Sequence, residues 1–500
     1  MRFRNGCKIL SIKHKFAHSG LWMIAGALFN NLSSMLIFVV LARLLSPVDF
    51  GLVAFATIFI DVSRVLVVAG IPEALIQREH WDDRVASTAF WANLMLGLAI
   101  SVLLNLAVLI FAGTGEGSTL PLVVAALSLT LIIDGSIAVH TAKLRREFAY
   151  KAIATRNAVA NVVSGAIGII LALAGFGVWA LVISRLIGVT LSSTILWTAA
   201  RWRPQASFSP ALLSELRGSF SFLFSSLSAQ ANSHVAAFVV GAWLGPAALG
   251  QFRIGSRVLT MLINTFIVPL QTTAMSAFSR LDRGSEAIGQ AYLRITRLAS
   301  LIVCPAFLGL AVIAPDFVPL VFGEKWQVAG YVMTMMALIA GPAVLMYFAQ
   351  PALAAAGHAP LVMLSNLAML VGNTIVALLT MGWGVVAVAA GHSARAHLTL
   401  PFSLRLLRKG VGVSEGAAIT NILPAYGASA LMALILVAIR VFLLEDASPF
   451  VRILIPLIAG PLIYTGILLL FAGRLMREMR GEVGLFLPAV RSRFKTRPAQ

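Results

Sequence analysis

Residues 45–70 read LSPVDFGLVAFATIFIDVSRVLVVAG. Pro47 suits the first turn of a helix, because its φ angle is already close to helical and its missing N–H would have no helical partner there. The apolar run that follows is about 20 residues long, enough for a helix to cross the ~30 Å hydrocarbon core of a bilayer. We therefore expect a membrane-spanning helix here, joined tightly to an earlier apolar run at 20–43.

The same block length recurs along the 500-residue chain, which is 59% hydrophobic and only 11% charged. A soluble domain carries roughly 25% charged residues, so one globular core would not hide this apolar content. We predict an all-α integral membrane protein with about 14 transmembrane helices. The expected spans are 20–43, 50–70, 87–112, 118–140, 154–175, 176–199, 218–243, 246–275, 293–313, 328–350, 360–381, 383–402, 419–442 and 450–473.

The basic residues test this number of spans. The chain has 38 Lys and Arg against 19 Asp and Glu, and the basic residues fall in every second gap between apolar runs. Cytoplasmic loops retain Lys and Arg, so both termini are predicted to be cytoplasmic. The short basic segments are expected to face lipid headgroups rather than nucleic acid. The inside segments would be 2–15, 143–146, 201–217, 280–297, 405–409 and 474–497.

A short motif occurs twice. LSPVDFG at 45–51 joins the first and second spans, and LGPAALG at 244–250 joins the seventh and eighth. The copies lie an even number of crossings apart and so enter the membrane in the same direction. This predicts two parallel, pseudo-symmetric six-helix lobes around a central cavity, followed by two C-terminal helices. The predicted domains are 1–217 with a basic tail, 218–413, 414–474 and a basic tail at 475–500.

Polar residues recur at helical spacing inside the spans. A charge at the bilayer centre costs at least ~2.5–3.5 kcal/mol, so such residues are expected to face a cavity or a partner. The eighth span carries them at i, i+4, i+7, i+11 and i+18, which is one face of a helix. These residues are Arg253, Arg257, Thr260, Asn264 and Gln271; the second span carries Thr57, Asp61 and Arg64, and the seventh carries Ser226, Gln230 and Ser233.

The predicted cavity is mostly positive, which calls for an anionic ligand, and arginine suits phosphate because its planar fork donates paired hydrogen bonds. The candidate ligand-binding residues are Arg64, Arg253, Arg257, Arg185, Arg395, Asn264 and Gln271, with Asp61 and Asp134 as possible ion-coupling residues.

Structural alternatives remain for each charge. Arg64 could pair with Asp61 three residues earlier, Arg185 could make a helix–helix contact, and Arg395 could extend to the headgroups. Asp134 could simply have a buried partner.

Motifs for other functions are missing from the sequence. It has no Walker A motif for ATP and no Gly-x-Ser-x-Gly nucleophile elbow. No His, Cys and Glu cluster has the spacing of metal ligands. We therefore expect neither an enzyme nor a bound cofactor or metal.

Several stretches resemble bacterial polysaccharide transporters of the multidrug/oligosaccharidyl-lipid/polysaccharide exporter superfamily. They are LARLLSPVDFGLVAFATIFIDV at 41–62, GIPEALIQR at 70–78, FWAN at 90–93 and PLVFGEKW at 319–326. The resemblance implies a flippase of the bacterial cytoplasmic membrane that works by alternating access. Its substrate would be a polyprenyl-diphosphate-linked oligosaccharide for lipopolysaccharide, capsule or exopolysaccharide assembly, with the assembly machinery as a possible partner.

In related flippases of lipid-linked substrates, arginines in the cavity bind the diphosphate, a role that here would fall on Arg64, Arg253 and Arg257. Two other functions remain open. A multidrug or organic-cation antiporter of the same superfamily would want an acidic cavity, and a polysaccharide polymerase or ligase would want a large outer loop. The sugar, the lipid carrier, the coupling ion and the oligomeric state are not encoded in any recognisable motif.

Overall fold

A computed structural model describes residues 29–68, 71–78, 80–111, 119–147, 149–209, 220–282 and 286–471. Across these ranges every regular element is a helix, as predicted from the apolar blocks. The basic tails expected at 2–15 and 475–500 lie outside the described residues.

The helices of the first half follow the predicted order. They are α1 (Phe29–Leu44), α2 (Pro47–Val68), the short α3 (Ile71–Gln77), α4 (Asp83–Phe111), α5 (Leu120–Arg146), α6 (Tyr150–Leu173), α7 (Val178–Ala199) and α8 (Phe220–Val239). The predicted split between the fifth and sixth spans is confirmed, because Gly175 and Gly177 separate α6 from α7 at φ values of +82° and +52°. Glycine adopts such positive φ angles without steric cost.

The second half contains both regular and distorted helices. They are α9 (Gly245–Leu262), α10 (Val268–Phe278), α11 (Glu286–Phe322), α12 (Gln327–Ala337), α13 (Ala340–Ala355), α14 (Ala359–Thr380), α15 (Val385–Val411), α16 (Glu415–Leu443) and α17 (Pro449–Phe471). Two π-helical turns, Val240–Leu244 and Ile263–Ile267, connect α8 to α9 and α9 to α10.

Ten helices in the described residues are long and apolar enough to cross a membrane, or eleven if one bent pair forms a single span. The sequence predicted about 14. The difference has three sources. α1 has only 16 described residues, α15 is not among the ten, and Ser226–Phe278 is one helical run in which Gly245 has a non-helical φ of 83° and ψ of 177°. The bent pair is α12 and α13, which meet at 59° where one span was predicted at 328–350.

The chain forms two compact units. The first comprises residues Met1–Ile254, Val321–Val328 and Asn366–Val388. Its core lies between α2, α5 and α7 and contains Ala56, Ile60, Leu127, Leu131 and Val182, all fully buried or nearly so. α4 and α5 approach closely because each places a glycine against the other's backbone. A Cβ on Gly97 would lie 2.6 Å from the Leu131 carbonyl oxygen, and one on Gly135 would lie 2.6 Å from that of Asn93.

The two copies of the repeated motif contact each other within this first unit. A Cβ on Gly51 would lie 1.7 Å from the Pro246 carbonyl oxygen, and a Cβ on Gly250 would lie 2.1 Å from the Pro47 carbonyl oxygen. Each motif thus places its glycine on the proline of the other, which is the reciprocal pattern of a two-fold-related contact. We call this contact the glycine–proline clasp. It explains why both motifs end in glycine, since a side chain would collide with backbone.

The second unit comprises residues Gly255–Leu320, Ala329–Ser365 and Ala389–Gln500. The Tyr292 hydroxyl of α11 is fully buried and donates to the Leu345 carbonyl of α13. α16 and α17 pack through Met432, Leu436 and Leu468. Arg440 of α16 lies 2.8 Å from the Asp316 carboxylate of α11, which ties the ends of these helices together.

Candidate functional site: a basic cavity in the first unit

Two ion pairs join three membrane helices of the first unit. Arg64 Nε of α2 lies 3.0 Å from Asp134 Oδ2 of α5, and Arg185 Nη2 of α7 lies 2.9 Å from Asp61 Oδ1 of α2. The alternative in which Arg64 pairs with Asp61 is therefore wrong. The two residues occupy one face of α2, and each contacts a different neighbouring helix instead.

The Asp134 carboxylate is 6% exposed, whereas the Arg64 side chain is 51% exposed. Asp134 therefore has a partner, as one alternative supposed, but that partner, Arg64, is half-exposed and its open side faces the cavity described next. A guanidinium that pairs at Nε keeps its terminal nitrogens for a second acceptor, because it carries five N–H donors.

Two adjoining cavities share the residues Arg64, Asp134, Ile137 and Arg156 and have volumes of about 470 and 440 Å³. Volumes of this order suit a small-molecule headgroup. Four arginines and two aspartates line them. These are Arg64, Arg145, Arg156 and Arg185, with Asp61 and Asp134.

Amide and hydroxyl groups complete the walls. Asn30 of α1 and Asn157, Asn161 and Ser164 of α6 line the first cavity, and Ser226 and Gln230 of α8 line the second. The Asn161 amide donates to Ser33 Oγ at 2.9 Å, which fixes α6 against α1. Such groups donate hydrogen bonds to an anion without adding charge.

A histidine connects this cavity to α9. His234 of α8 is 7% exposed, and its Nε2 atom lies 3.8 Å from Asp61 Oδ2. The Gln230 side-chain amide lies 3.0 Å from the same nitrogen. On the other side of the ring, Arg253 Nη2 of α9 lies 3.4 Å from Nδ1. Arg253, a predicted site residue, therefore belongs to a chain of polar contacts that reaches Asp61 and Arg185.

The remaining predicted residues lie in the second unit. Arg257 is half-buried, and Asn264 is exposed in the π-helical turn Ile263–Ile267. Gln271 donates to the Tyr347 carbonyl at 2.9 Å. A π-turn closes i→i+5 bonds and so interrupts the 3.6-residue period. The single stripe predicted through Asn264 and Gln271 is therefore broken.

Arg395 of α15 does not reach the headgroups, as one alternative supposed. The residue is 3% exposed, and its Nε and Nη1 atoms are buried without a hydrogen-bond partner in the part of the chain that the structure describes. Burying a guanidinium without an acceptor costs folding free energy, and a ligand that binds in another conformation could supply the missing acceptor.

Sequence reasoning missed three ionisable residues at the site. Arg145 and Arg156 lie near helix ends, where basic residues normally extend to lipid headgroups, so their convergence on one cavity had no separate signal. For His234 the sequence did contain a signal. It follows Ser226 and Gln230 at intervals of four residues and so continues the polar face of α8.

The candidate site is thus a pair of adjoining cavities in which guanidinium groups outnumber carboxylates by four to two. Such a set of donors can bind an anion through charge-assisted hydrogen bonds. Each aspartate holds one arginine in position, and Arg145 and Arg156 add positive charge from the ends of α5 and α6.

Comparison with known proteins gives a consistent result. The family profile described as "Polysaccharide biosynthesis protein" matches residues 40–331, which is more than half of the chain. A relative in Rhizobium meliloti (strain 1021), the succinoglycan biosynthesis transport protein ExoT, is 26% identical over 310 residues. The match covers 60% of this chain and 61% of the relative, so the chain spans about three fifths of that protein's length.

Solved structures share the fold at low identity. The lipid II flippase MurJ in an inward closed conformation superposes with a TM-score of 0.74 at 14% identity, over 91% of this chain and all of that one. An inward-facing multidrug resistance MATE family transporter of the MOP superfamily superposes with a TM-score of 0.60 at 17% identity, over 77% and 94% of the two chains. At identities this low, the structural similarity shows a shared fold and nothing further.

Proposed function

The chain belongs to the polysaccharide biosynthesis protein family, and from this premise we propose that it is a flippase for a polyprenyl-diphosphate-linked oligosaccharide. The family profile covers residues 40–331, which include every lining residue of the basic cavity except Asn30. The fold is shared with the flippase MurJ, and one relative is named for transport in succinoglycan biosynthesis. The product would feed lipopolysaccharide, capsule or exopolysaccharide assembly.

The observation that carries this proposal is the excess of guanidinium groups in the cavity. A diphosphate has several negative oxygens and cannot enter hydrocarbon without replacing its hydration shell. Four arginines with neighbouring amides supply donors in its place, and two aspartates keep the unliganded site from being more strongly charged. The prenyl tail needs no such help, since it stays in the lipid.

The orientation of the cavity supports uptake from the cytoplasmic leaflet. Arg145, which lines the cavity, lies in the last turn of α5 together with Lys143 and Arg146. Basic helix ends favour the cytoplasmic side. The glycine–proline clasp occupies the first turn of α2, whereas Asp61 and Arg64 lie about 15 and about 20 Å beyond Gly51 along the same helix. We place the clasp at the outer side, where it closes the first unit.

The finer architecture is part of the same proposal. About 14 spans are compatible with the described helices if α1, α8, α9 and α15 are each counted and α12 with α13 forms one broken span. The spans would form two six-helix lobes, 1–217 and 218–413, with two further helices within 414–474 and both termini in the cytoplasm. The reciprocal clasp supports the repeat that underlies the two lobes.

A multidrug antiporter of the same superfamily is the competing function. Binding of cationic drugs favours carboxylates, and here both cavity carboxylates are already paired with arginines. A polymerase or ligase would instead need reactive groups around a bound sugar. The following experiment separates the antiporter from the flippase by the ligand that binds.

Binding of a labelled polyprenyl-diphosphate oligosaccharide to the detergent-purified protein tests the proposal. We expect Arg64→Gln to weaken binding by at least about tenfold, because a charge-assisted hydrogen bond contributes roughly 1.5–3 kcal/mol. Arg408→Gln is the matched control, since Arg408 is 65% exposed and pairs with Glu415 outside the cavity. Binding of organic cations in preference to this lipid, or equal binding by the two variants, would overturn the proposal.

A further inference from the structure

His234 is held in one tautomer by its neighbours. The Arg253 guanidinium only donates, so Nδ1, which lies 3.4 Å from Arg253 Nη2, accepts and carries no proton. The proton of the neutral ring then sits on Nε2, which faces the Gln230 amide at 3.0 Å and Asp61 Oδ2 at 3.8 Å. The Gln230 atom placed at 3.0 Å is the amide nitrogen, and a 180° rotation of the amide brings its oxygen there to accept from Nε2–H, with Asp61 Oδ2 as the other oxygen on this side.

A second proton would change both contacts. It would have to bind Nδ1, the atom that now accepts from Arg253, and two donors facing each other cannot form a hydrogen bond. The imidazolium would be attracted to Asp61 and repelled by Arg253. Protonation thus breaks the contact to α9 and strengthens the contact to α2.

The other charged groups around the ring favour this exchange. Within the described residues, the charges that face it are Asp61 from α2 and Arg253 from α9, with Arg185 of α7 behind Asp61 at 2.9 Å. Asp61 lies closer to Arg185, at 2.9 Å, than to His234, at 3.8 Å, so its stronger ion pair is the one with Arg185. A charged ring would compete with Arg185 for this carboxylate and loosen Arg185 in the cavity wall.

We propose that His234 is a proton-binding site whose protonation releases Arg253, engages Asp61 and so strengthens the hold of the neighbouring cavity on a diphosphate. The effect on the anion rests on the proposed function, whereas the proton site does not. Gln230 carries the connection, because it contacts His234 and also lines the cavity. Anion binding is then strongest below the titration midpoint of His234 and weakens as the pH rises through it.

Proton binding is measured directly by NMR on the full chain in nanodiscs with labelled histidine. The chain has eight histidines, and His234→Gln identifies the signal. We expect Arg253→Gln to move the titration midpoint of His234 to higher pH by roughly one unit, and Asp61→Asn to move it to lower pH by a similar amount. The exposed His80 serves as the internal control. A His234 that takes up no second proton while the protein stays folded, or whose midpoint shifts in the same direction in both variants, would overturn the proton site.

Inorganic pyrophosphate then tests the link to the anion. Its affinity for the wild-type protein should rise by up to about tenfold per pH unit on acidification through the midpoint, beyond the change seen in His234→Gln. By reciprocity, saturating pyrophosphate should move the midpoint upward. If His234 titrates as expected but pyrophosphate does not respond, the anion coupling is wrong and the proton site stands. If the lipid-linked substrate binds without any titration of His234, the proposed function stands and this inference falls.

Discussion

Individual residues of the cavity show where sequence reasoning succeeded and where it stopped. Arg64, Arg185, Asp61 and Asp134 were all identified as site residues, because charges inside apolar spans are rare and costly. Their pairing was not predictable. Two residues three apart on a helix are neighbours, and only the packing of α2 against α5 and α7 shows that each has a partner elsewhere.

His234 and Arg156 illustrate the opposite case. Neither was selected, although both contact or line the site. His234 follows Gln230 by four residues and therefore lies on the same face of α8, but an isolated histidine on a polar face has many possible roles. For Arg156 the bias toward headgroup contacts at helix ends was misleading, because only tertiary packing decides whether such an end borders a cavity.

Arg395 gives a prediction at the scale of one residue. Two of its guanidinium nitrogens are buried without a partner in the described chain, so the folded state carries an uncompensated desolvation cost. We expect Arg395→Met to raise the free energy of unfolding by at least about 1 kcal/mol, because a side chain of similar volume removes that cost. Thermal unfolding in detergent measures the effect. A residue kept for substrate contact should lose transport in the same variant; a destabilised variant would instead mean that the guanidinium has an acceptor in the folded protein.

At the scale of helices, apolar length and breaking residues predicted most elements. The separation of α6 from α7 followed from two glycines, and the start of α2 from Pro47. The sequence did not predict where the helices are distorted. The π-turns at Val240–Leu244 and Ile263–Ile267 and the 59° bend between α12 and α13 depend on how neighbouring helices pack, which local propensity does not encode.

The glycine–proline clasp makes a prediction at this scale. A methyl group on Gly51 would lie 1.7 Å from the Pro246 carbonyl oxygen, far inside van der Waals contact, so Gly51→Ala must separate the two motifs. We expect a cysteine at the fully buried position 249 to become accessible to a membrane-impermeant maleimide. The background carries Cys7→Ser and Cys304→Ser.

Gly466→Ala provides the matched control for this substitution. Gly466 also lies in a membrane helix, but nothing stands within 4 Å of the added Cβ. It should leave the labelling of position 249 unchanged. Equal protection of position 249 in Gly51→Ala and in the control would show that the clasp does not keep this side closed.

At the scale of the whole molecule, the fold and the family were within reach of the sequence. The repeat of Leu-x-Pro-x-x-(Phe/Leu)-Gly indicated a duplicated architecture, and the stretches at 41–62 and 319–326 indicated the transporter family. The family match confirms the family, and the structural similarity confirms the all-helical fold, whereas the duplicated architecture stays a prediction. The sequence does not identify the sugar, because the proposed arginine contacts would be made to a diphosphate that many lipid-linked sugars share.

Translocation of a fluorescent polyprenyl-diphosphate oligosaccharide in proteoliposomes tests the central claim most directly, since it reports movement of the headgroup between leaflets. The wild-type protein and Arg408→Gln should move the headgroup at equal rates. Arg64→Gln combined with Arg156→Gln should reduce the rate by at least about a hundredfold while the protein still inserts. Transport by this double variant at the wild-type rate would contradict a guanidinium-lined path for the diphosphate.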